Sequence, residues 1–465
     1  MTTFYIEQFG CRATQADAAA IERQLRDRGF AAANESASAD VVIVNTCTVT
    51  AAADAQAREA IRKLVARNPA ARVIATGCYA QRAPEELAAL PGVSWVVGNS
   101  HKPEIPWLMD SMAARAAGGS TSGFVPASAL GEEKCSLLHG PAKILTGNIF
   151  EERALLAAPV TGGEGNHTRP VVKIQDGCNS RCAYCVIPFV RGRSRSLEPA
   201  QVIDEIARLS AAGYREIVLS GINLGTYGRD LSPRVELIEL LRRILDETGV
   251  ERLRISSIEP MDVTEELIAL FGSSARMAQH FHMPLQSGCD RVLAAMHRWY
   301  RAEHYARRME LIRERLPDAG IGADVIAGFP GETDAEHAET VAFIGRLPFS
   351  YLHVFSFSQR PGTRAAELAN QVAASVVKQR AREVRALGEE KAREFQRSQV
   401  GRELRVLTLR DERGSAETTP ALSSSYLRVA VRGKFAANEW LDVMISERDE
   451  GVLGEPVTFV SVGAV

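Results

Sequence analysis

Three cysteines stand within nine residues of this chain, in GCNSRCAYC at 177–185: Cys178, Cys182 and Cys185. Their spacing is C-x3-C-x2-C, and no fourth Cys or His follows nearby. A structural zinc site is normally closed by four ligands, so three would make a poor folding element. Iron–sulfur clusters held by cysteine usually have four thiolates as well. Three thiolates therefore mean either a distant fourth ligand or a cluster with one iron left open for chemistry. The motif directly follows the apolar run PVVKIQDG, which places its load at the end of a strand.

The rest of the composition narrows the setting. A chain of 465 residues has room for about two to four domains. Its 46% apolar and 24% charged residues are ordinary for a soluble globular protein. No apolar run approaches the length of about 18 residues that a membrane span requires. The N-terminus, MTTFYIEQFG, shows no basic region followed by an apolar one, so no secretory signal is expected. Eight cysteines without an export signal point to metal or redox chemistry rather than disulfides, and to a cytoplasmic protein. A net charge of −2 gives no global footprint for nucleic acid, so any RNA contact must come from local patches.

Residues 3–98 alternate short apolar runs with helical segments. TFYIEQ, DVVIVN, RVIAT and SWVV read as strands, and Gln15–Arg28 and Ala51–Arg67 carry apolar residues at helical spacing. This is the pattern of a small parallel α/β domain. Cys11, Cys47 and Cys78 each lie just beyond one of its first three strands. In open parallel sheets, ligands gather outside the carboxyl ends of strands. A single cysteine here would be read as a small buried residue; three at equivalent strand ends favour a second cysteine-ligated cluster. Gly10 and Gly77 beside them would let the backbone come close to it.

Residues 106–166 lose this regularity, with AARAAGGSTSG and TGGEGN, and read as a linker with a short helix. Cys135 lies within it and receives no role. From about 170 the alternation resumes, with strands expected at PVVKIQDG, EIVLSG, RLRISSI, AQHFHMPL, IGADVIAGF and YLHVFSF. Six parallel strands with helical crossovers fit a partial (βα)6 barrel, with GCNSRCAYC on its catalytic face. Residues 375–399 form a long basic helix. The short alternating runs LRVLTL, YLRVAV, LDVMIS and PVTFVSV then make a small all-β barrel. The expected class is thus α/β, with domains at 1–105, 167–398 and 399–465.

At this point the motifs carry a resemblance. C-x3-C-x2-C after the first strand of a partial barrel, with Tyr184 before the last Cys, resembles the radical S-adenosylmethionine (SAM) enzymes. QFGCRATQAD, VNTCTVT and TGCYAQRAPEEL are similar to the N-terminal domain of the methylthiotransferases. IQDGCNSRCAYCVIPFVRGRSRS and VIAGFPGET resemble their radical-SAM core, and the terminal module their TRAM domain. NTCTVT and GCYAQ look most like the branch acting on N6-threonylcarbamoyladenosine in tRNA. The other branches act on isopentenyladenosine or on a ribosomal-protein aspartate.

The resemblance implies two 4Fe–4S clusters. Cys178, Cys182 and Cys185 would hold one whose open iron binds SAM, which accounts for the missing fourth thiolate. Cys11, Cys47 and Cys78 would hold an auxiliary one that delivers sulfur. One SAM methylates the sulfur, and a second, reduced by a low-potential electron donor, yields the radical that abstracts hydrogen from the base. Tyr184, Ser220, Gly221, Asn223, Ser257, Glu259 and Gly328 match positions on the SAM side. Against that, glycines at strand ends commonly serve turns, and Ser257 or Glu259 could cap a helix. Cys289 stands where much of the wider family has Ser and reads as a buried thiol.

The RNA expectation rests on Arg191, Arg193 and Arg195 of RGRSRS, beside the cluster loop, as phosphate contacts. The partner would be the anticodon loop of tRNA, because unpaired loop bases can be splayed out and read. The β module counts 8 Lys+Arg against 10 Asp+Glu over 402–465, which is not a basic surface. A non-catalytic two-cluster electron carrier or RNA-binding protein is the remaining alternative, and it has no need of an open cluster site in a barrel.

Overall fold

Six parallel strands make one sheet from the N-terminal part of the chain. They are β1 (Thr3–Gln8), β2 (Ala31–Ala32), β3 (Val41–Thr46), β4 (Arg72–Gly77), β5 (Val93–Gly98) and β6 (Lys143–Leu145), in the order β2-β1-β3-β4-β5-β6. Every position of β3 is buried, as a central parallel strand covered on both faces requires. Helix α1 (Arg12–Asp27) lays Ile21 and Leu25 on one face, with Leu108 and Met109 of helix Ile105–Ala116. Helix α2 (Ala51–Arg67) lays Ile61 and Leu64 on the other. Its start is fixed by Thr50, whose hydroxyl accepts from Ala53 N at 3.2 Å.

A computed structural model describes residues 2–116, 142–153, 155–160, 168–411, 414–415 and 417–457. Cys135, TGGEGN and most of AARAAGGSTSG lie outside these residues. The expected linker at 106–166 is therefore only partly a linker. Helix Ile105–Ala116 packs on the sheet, and β6 pairs parallel to β5 through Trp95 and Lys143.

The described residues divide into two compact units. The first comprises 1–160, 173–197 and 358–366, so the segment carrying GCNSRCAYC belongs with the N-terminal sheet. The second comprises 161–172, 198–357 and 367–465.

The partial barrel has all six expected strands: β7 (Val171–Lys173), then, after the short antiparallel pair β8 (Gln175–Asp176) and β9 (Arg195–Ser196), β10 (Glu216–Ser220), β11 (Arg252–Ile255), β12 (His280–His282), β13 (Gly320–Ala327) and β14 (Tyr351–Ser356). The ladders run β7-β10-β11 and β12-β13-β14, and parallel bridges Leu253–Met277 and Ser257–His282 join them. Crossover helices Pro199–Ala211, Leu237–Glu247, Glu265–Ser273, Ala302–Arg315 and Asp334–Arg346 separate the strands.

The basic helix, Ala374–Arg397, is a structural connector. Gly388 lets it approach β14, since a Cβ there would lie 3.1 Å from Leu352 Cβ. Five strands follow as a closed barrel, β15 (Glu403–Thr408), β16 (Thr418–Ser423), β17 (Arg428–Arg432), β18 (Trp440–Glu447) and β19 (Val452–Pro456). The last strand is Val452–Pro456 rather than PVTFVSV, whose residues from 458 onward lie outside the described set. Among the described residues, no helix is long and apolar enough to cross a membrane.

One carboxylate ties this module to the strands of its unit. Glu216, fully buried on β10, pairs with Arg169, Arg252 and Arg254. Arg252 and Arg254 then donate to the carbonyls of Leu422, Ser423 and Ser424 at 2.9–3.0 Å. Burial disfavours its charge, but the three arginines hold its carboxyl well below the ordinary range. Glu216→Gln keeps the shape and removes the charge. Breaking a buried pair from one side costs about 3–5 kcal/mol. Scanning calorimetry should show the transition of the second unit at clearly lower temperature; an unmoved transition would mean the arginines do not depend on Glu216.

Candidate active site

The three strand-end cysteines come together as the topology demands. β1, β3 and β4 are neighbours in the sheet, so Cys11, Cys47 and Cys78, which follow them, share one edge. Cys11 caps α1, and Cys78 opens the short helix Cys78–Arg82. Gly10 has φ +104°, and a Cβ on it would lie 2.5 Å from Cys47 Cβ. The glycine thus makes room for Cys47 itself. Cys47 and Cys78 are buried, whereas Cys11 is exposed. Burial pushes the Cys47 thiol up to about 12, and negative charge on Cys78 and Cys11 adds to it. Three thiols that feel one another in this way suit a metal cluster, which takes them as thiolates.

The second cysteine loop is closed from below by its own neighbours. Gly177 and Gly192 both have positive φ, and a Cβ on Gly177 would collide with the Arg193 carbonyl. Cys178 N donates to Gly192 O at 3.0 Å, and Ser194 N donates to the Asn179 side chain at 3.1 Å. Gln175 Nε2 donates to Gly177 O and Ser194 Oγ at 2.8 and 2.9 Å. Within the same unit, Val186 and Val190 pack on Cys78. Asn99 Nδ2 spans the contact, 2.7 Å from Val190 O and 3.6 Å from Cys78 Sγ. The two cysteine triads are therefore linked through one apolar contact and one amide.

RGRSRS is not the basic patch that its sequence suggests. The Arg191 side chain is 2% exposed and pairs with Asp176 at 2.9 Å and Asp17 at 3.0 Å. Asp17 also receives Lys102 at 2.8 Å and Lys173, and Lys173 reaches Asp176 at 2.9 Å. Burial opposes charge on both carboxyls, yet the surrounding cations hold each well below the ordinary range. Arg195 is also buried, donating to the carbonyls of Arg191 and Glu152 at 2.9 and 3.1 Å. Arg191 and Arg195 are thus withdrawn from phosphate contact. Arg193 alone is exposed.

The SAM-side positions lie at strand ends of the second unit, except Tyr184, which is half-buried in the first. Ser220 ends β10, Gly221 follows it, and Asn223 is buried in the next turn. Ser257 forms the bridge to His282. Neither Ser257 nor Glu259 is the side-chain cap of the next long helix; Thr264 is, accepting from Leu267 N at 3.1 Å. Glu259 instead pairs with Arg298, although burial raises its carboxyl above the ordinary value. Gly328 is required locally: its φ is +79°, and a Cβ would meet Val377 at 2.6 Å. Cys289 is a buried thiol, as expected.

One polar cluster was not foreseen. Phe281 stacks on Phe271 of a crossover helix, so its neighbours His280 and His282 face away from the helices. On that face Asp324 lies 3.1 Å from His282 Nε2 and 3.3 Å from His353 Nδ1. Tyr351 OH stands between His280 Nε2 and His282 Nδ1 at 2.8 and 3.0 Å. Burial disfavours charge on Asp324, but the two imidazoles hold its carboxyl well below the ordinary range. The signal was present in the sequence: polar residues at every second position of HFH and YLH, in otherwise apolar strands.

The residues of the first unit fit the two clusters. All seven described cysteines are free, and six of them lie in this unit. The buried Arg191 Nε–H has no hydrogen-bond partner among the described residues. Such a donor beside thiols suits a sulfur acceptor.

Comparison with known proteins agrees with this reading. Residues 3–98 match the uncharacterized protein family UPF0004, and residues 172–344 match the radical SAM superfamily. The chain is 35% identical to the threonylcarbamoyladenosine tRNA methylthiotransferase MtaB of Aquifex aeolicus, over 94% of this chain and 99% of that one. It is 33% identical to the tRNA-2-methylthio-N(6)-dimethylallyladenosine synthase of Syntrophomonas wolfei, over 81% and 80%. Among solved structures, the radical SAM methyltransferase TsrM of Kitasatospora setae shares the fold, with TM-score 0.54 and 19% identity over 80% and 78%.

Two four-iron clusters give about eight irons per chain after anaerobic reconstitution. Replacing Cys178, Cys182 and Cys185 by Ala should remove about half of the iron and all SAM cleavage. Full iron retention in that variant would place the cluster elsewhere.

Proposed function

This chain belongs to the radical-SAM tRNA methylthiotransferases, and we propose that it methylthiolates carbon 2 of N6-threonylcarbamoyladenosine at position 37 of tRNA, next to the anticodon. The observation that carries the choice of nucleoside is the match to a relative named for it. That match runs over 94% of the chain at 35% identity, against 81% at 33% for a dimethylallyladenosine enzyme. NTCTVT and GCYAQ support the same branch. The enzyme uses SAM and two 4Fe–4S clusters, and these supply the radical and sulfur-transfer chemistry.

The protein's part is to hold and orient. Cys178, Cys182 and Cys185 present three thiolates and leave one coordination position for SAM. Cys11, Cys47 and Cys78 hold the sulfur-delivering cluster at the sheet edge. Val190, Asn99 and Cys78 fix the segment after one triad against the other. The electron comes from a low-potential donor acting in the cytoplasm. Ser220, Gly221, Asn223, Ser257, Glu259, Gly328 and Tyr184 remain the proposed SAM side.

The tRNA contact is reassigned by burial. Arg193 is the exposed cation of RGRSRS, and Phe189, four residues before it in the chain, is 53% exposed. Phe150 packs edge-on against Phe189 with ring centroids 6.4 Å apart and is itself 43% exposed. An exposed aromatic ring and an exposed arginine on one short segment suit an unstacked loop base and its phosphate.

Nucleosides from wild-type and deletion cells, compared by mass spectrometry, test the assignment. The methylthio form of N6-threonylcarbamoyladenosine should vanish in the deletion; loss of methylthio-isopentenyladenosine instead would move the enzyme to the other branch. Cys47→Ala should abolish methylthio transfer while SAM is still cleaved under reducing conditions. Arg193→Gln should lower the slope of log K against log salt for tRNA by about 0.7–0.9. An unchanged slope would place the phosphate contact on another surface.

A further inference from the structure

The buried charges of the first unit do not balance. Lys102, Lys173 and Arg191, none more than 4% exposed, find only Asp17 and Asp176 as ion-pair partners among the described residues. One positive charge is left over, and Arg195 adds another, 3.9 Å from Asp176. A second group repeats the pattern. Arg82 and Arg360 share Asp54, and all three side chains are at most 12% exposed. Their further neighbour, Glu86, is half exposed and 3.8 Å from Arg82.

Unanswered buried charge is costly, and a fold that keeps it normally supplies a counter-charge. Both groups border the strand-end cysteines. Val190, next to Arg191, packs on Cys78. Thr48, next to Cys47, accepts from Arg82 Nε and from Arg360, each at 2.8 Å. Arg191 Nε and Arg360 Nε are both buried without a hydrogen-bond partner among the described residues. Surplus cations and spare N–H donors thus occur in both groups, each of which borders a strand-end cysteine through a neighbouring residue.

We propose that these cations are the built-in counter-charge of the cluster held by Cys11, Cys47 and Cys78, with Arg191 a positioning residue whose Nε–H is kept for a sulfur of that cluster. Net charge and hydrogen bonds to sulfur are the levers that set an iron–sulfur potential. The cations raise the potential of this cluster, and the cluster in turn relieves their mutual repulsion. Folding of the first unit is thereby linked to cluster loading. The inference rests on the ligand assignment proposed above.

The test uses the full chain carrying Cys178→Ala, Cys182→Ala and Cys185→Ala, so that only the N-terminal cluster remains. Adding Lys102→Gln should leave about four irons bound and shift the midpoint potential, followed by electron paramagnetic resonance, to more negative values. Arg191→Lys keeps the charge but loses the Nε–H, and should give a smaller shift of the same sign. Iron removal should lower the melting temperature of the Lys102→Gln chain by less than that of its parent, because the variant has one unanswered cation fewer. A merely structural lysine would show the same loss in both. An unchanged midpoint with four irons bound, or equal melting losses, overturns the proposal. If Lys102→Gln does not fold, an unchanged midpoint in Arg191→Lys overturns it. Full iron retention after replacing Cys11, Cys47 and Cys78 by Ala would instead refute the ligand assignment.

Discussion

The buried guanidinium of Arg191 is the interaction on which the first unit depends. It reaches 174 residues back to Asp17 on the helix that Cys11 begins, and 15 residues back to Asp176 at the mouth of the other cysteine loop. Nη1 donates to both oxygens of Asp176 while Nη2 donates to Asp17, so the planar group fixes direction as well as distance. Lys173 bridges the same two carboxylates, but as a point charge it lacks the planar group that sets direction. The consequence is geometric. Two triads separated by a hundred residues of chain from Cys78 to Cys178 are held in one register, as the proposed reaction, with the radical from one site and sulfur from the other, would require.

Most of the scaffold was legible because its signals are local. Apolar runs ending in small residues gave the strands of both sheets, and equal placement of Cys11, Cys47 and Cys78 after three of them gave the edge. β2 and β6 were missed because two and three residues carry too little pattern. β16 was missed for a different reason: TTPALS contains Pro420, which normally argues against a strand. Here it pairs across to Ala430 in a closed barrel. The arginines were misread because burial is not local. In RGRSRS, nothing marks Arg193 as exposed and its neighbours two positions away as buried. Asp17, a partner of Arg191, sits in an Ala-rich helix where it looks like a solvated residue.

The burial of Arg191 and Arg195 changes the proposed tRNA contact. An exposed arginine cluster would have offered several phosphate contacts, whereas Arg193 offers one. The C-terminal barrel carries more acidic than basic residues. At the proposed contact, affinity would draw more on stacking, for which Phe150 and Phe189 are suited, than on counter-ion release. Such binding would be less steeply salt-dependent and would favour a base already splayed from its loop over duplex RNA.

The two units place arginines around carboxylates in contrasting ways, and the contrast carries the argument for a missing anion. In the second unit Glu216 faces three arginines, which is also a positive excess. There the excess is answered within the protein. Arg252 and Arg254 donate to three backbone carbonyls, and their guanidinium groups lie 4.5 Å from the Trp440 ring and 5.3 Å from the Tyr426 ring. Around Asp17, Asp176 and Asp54 no ring stands over Arg191 or Arg360 among the described contacts, and both keep a buried Nε–H unpaired. The same chain completes one arginine cluster and leaves the other open, and the open one is beside the cysteines. In the second unit Arg380 also keeps a buried Nε–H unpaired, but two carboxylates, Glu332 and Asp334, answer its charge; beside the cysteines the cations outnumber the carboxylates, and an anion held by thiolates would answer that excess.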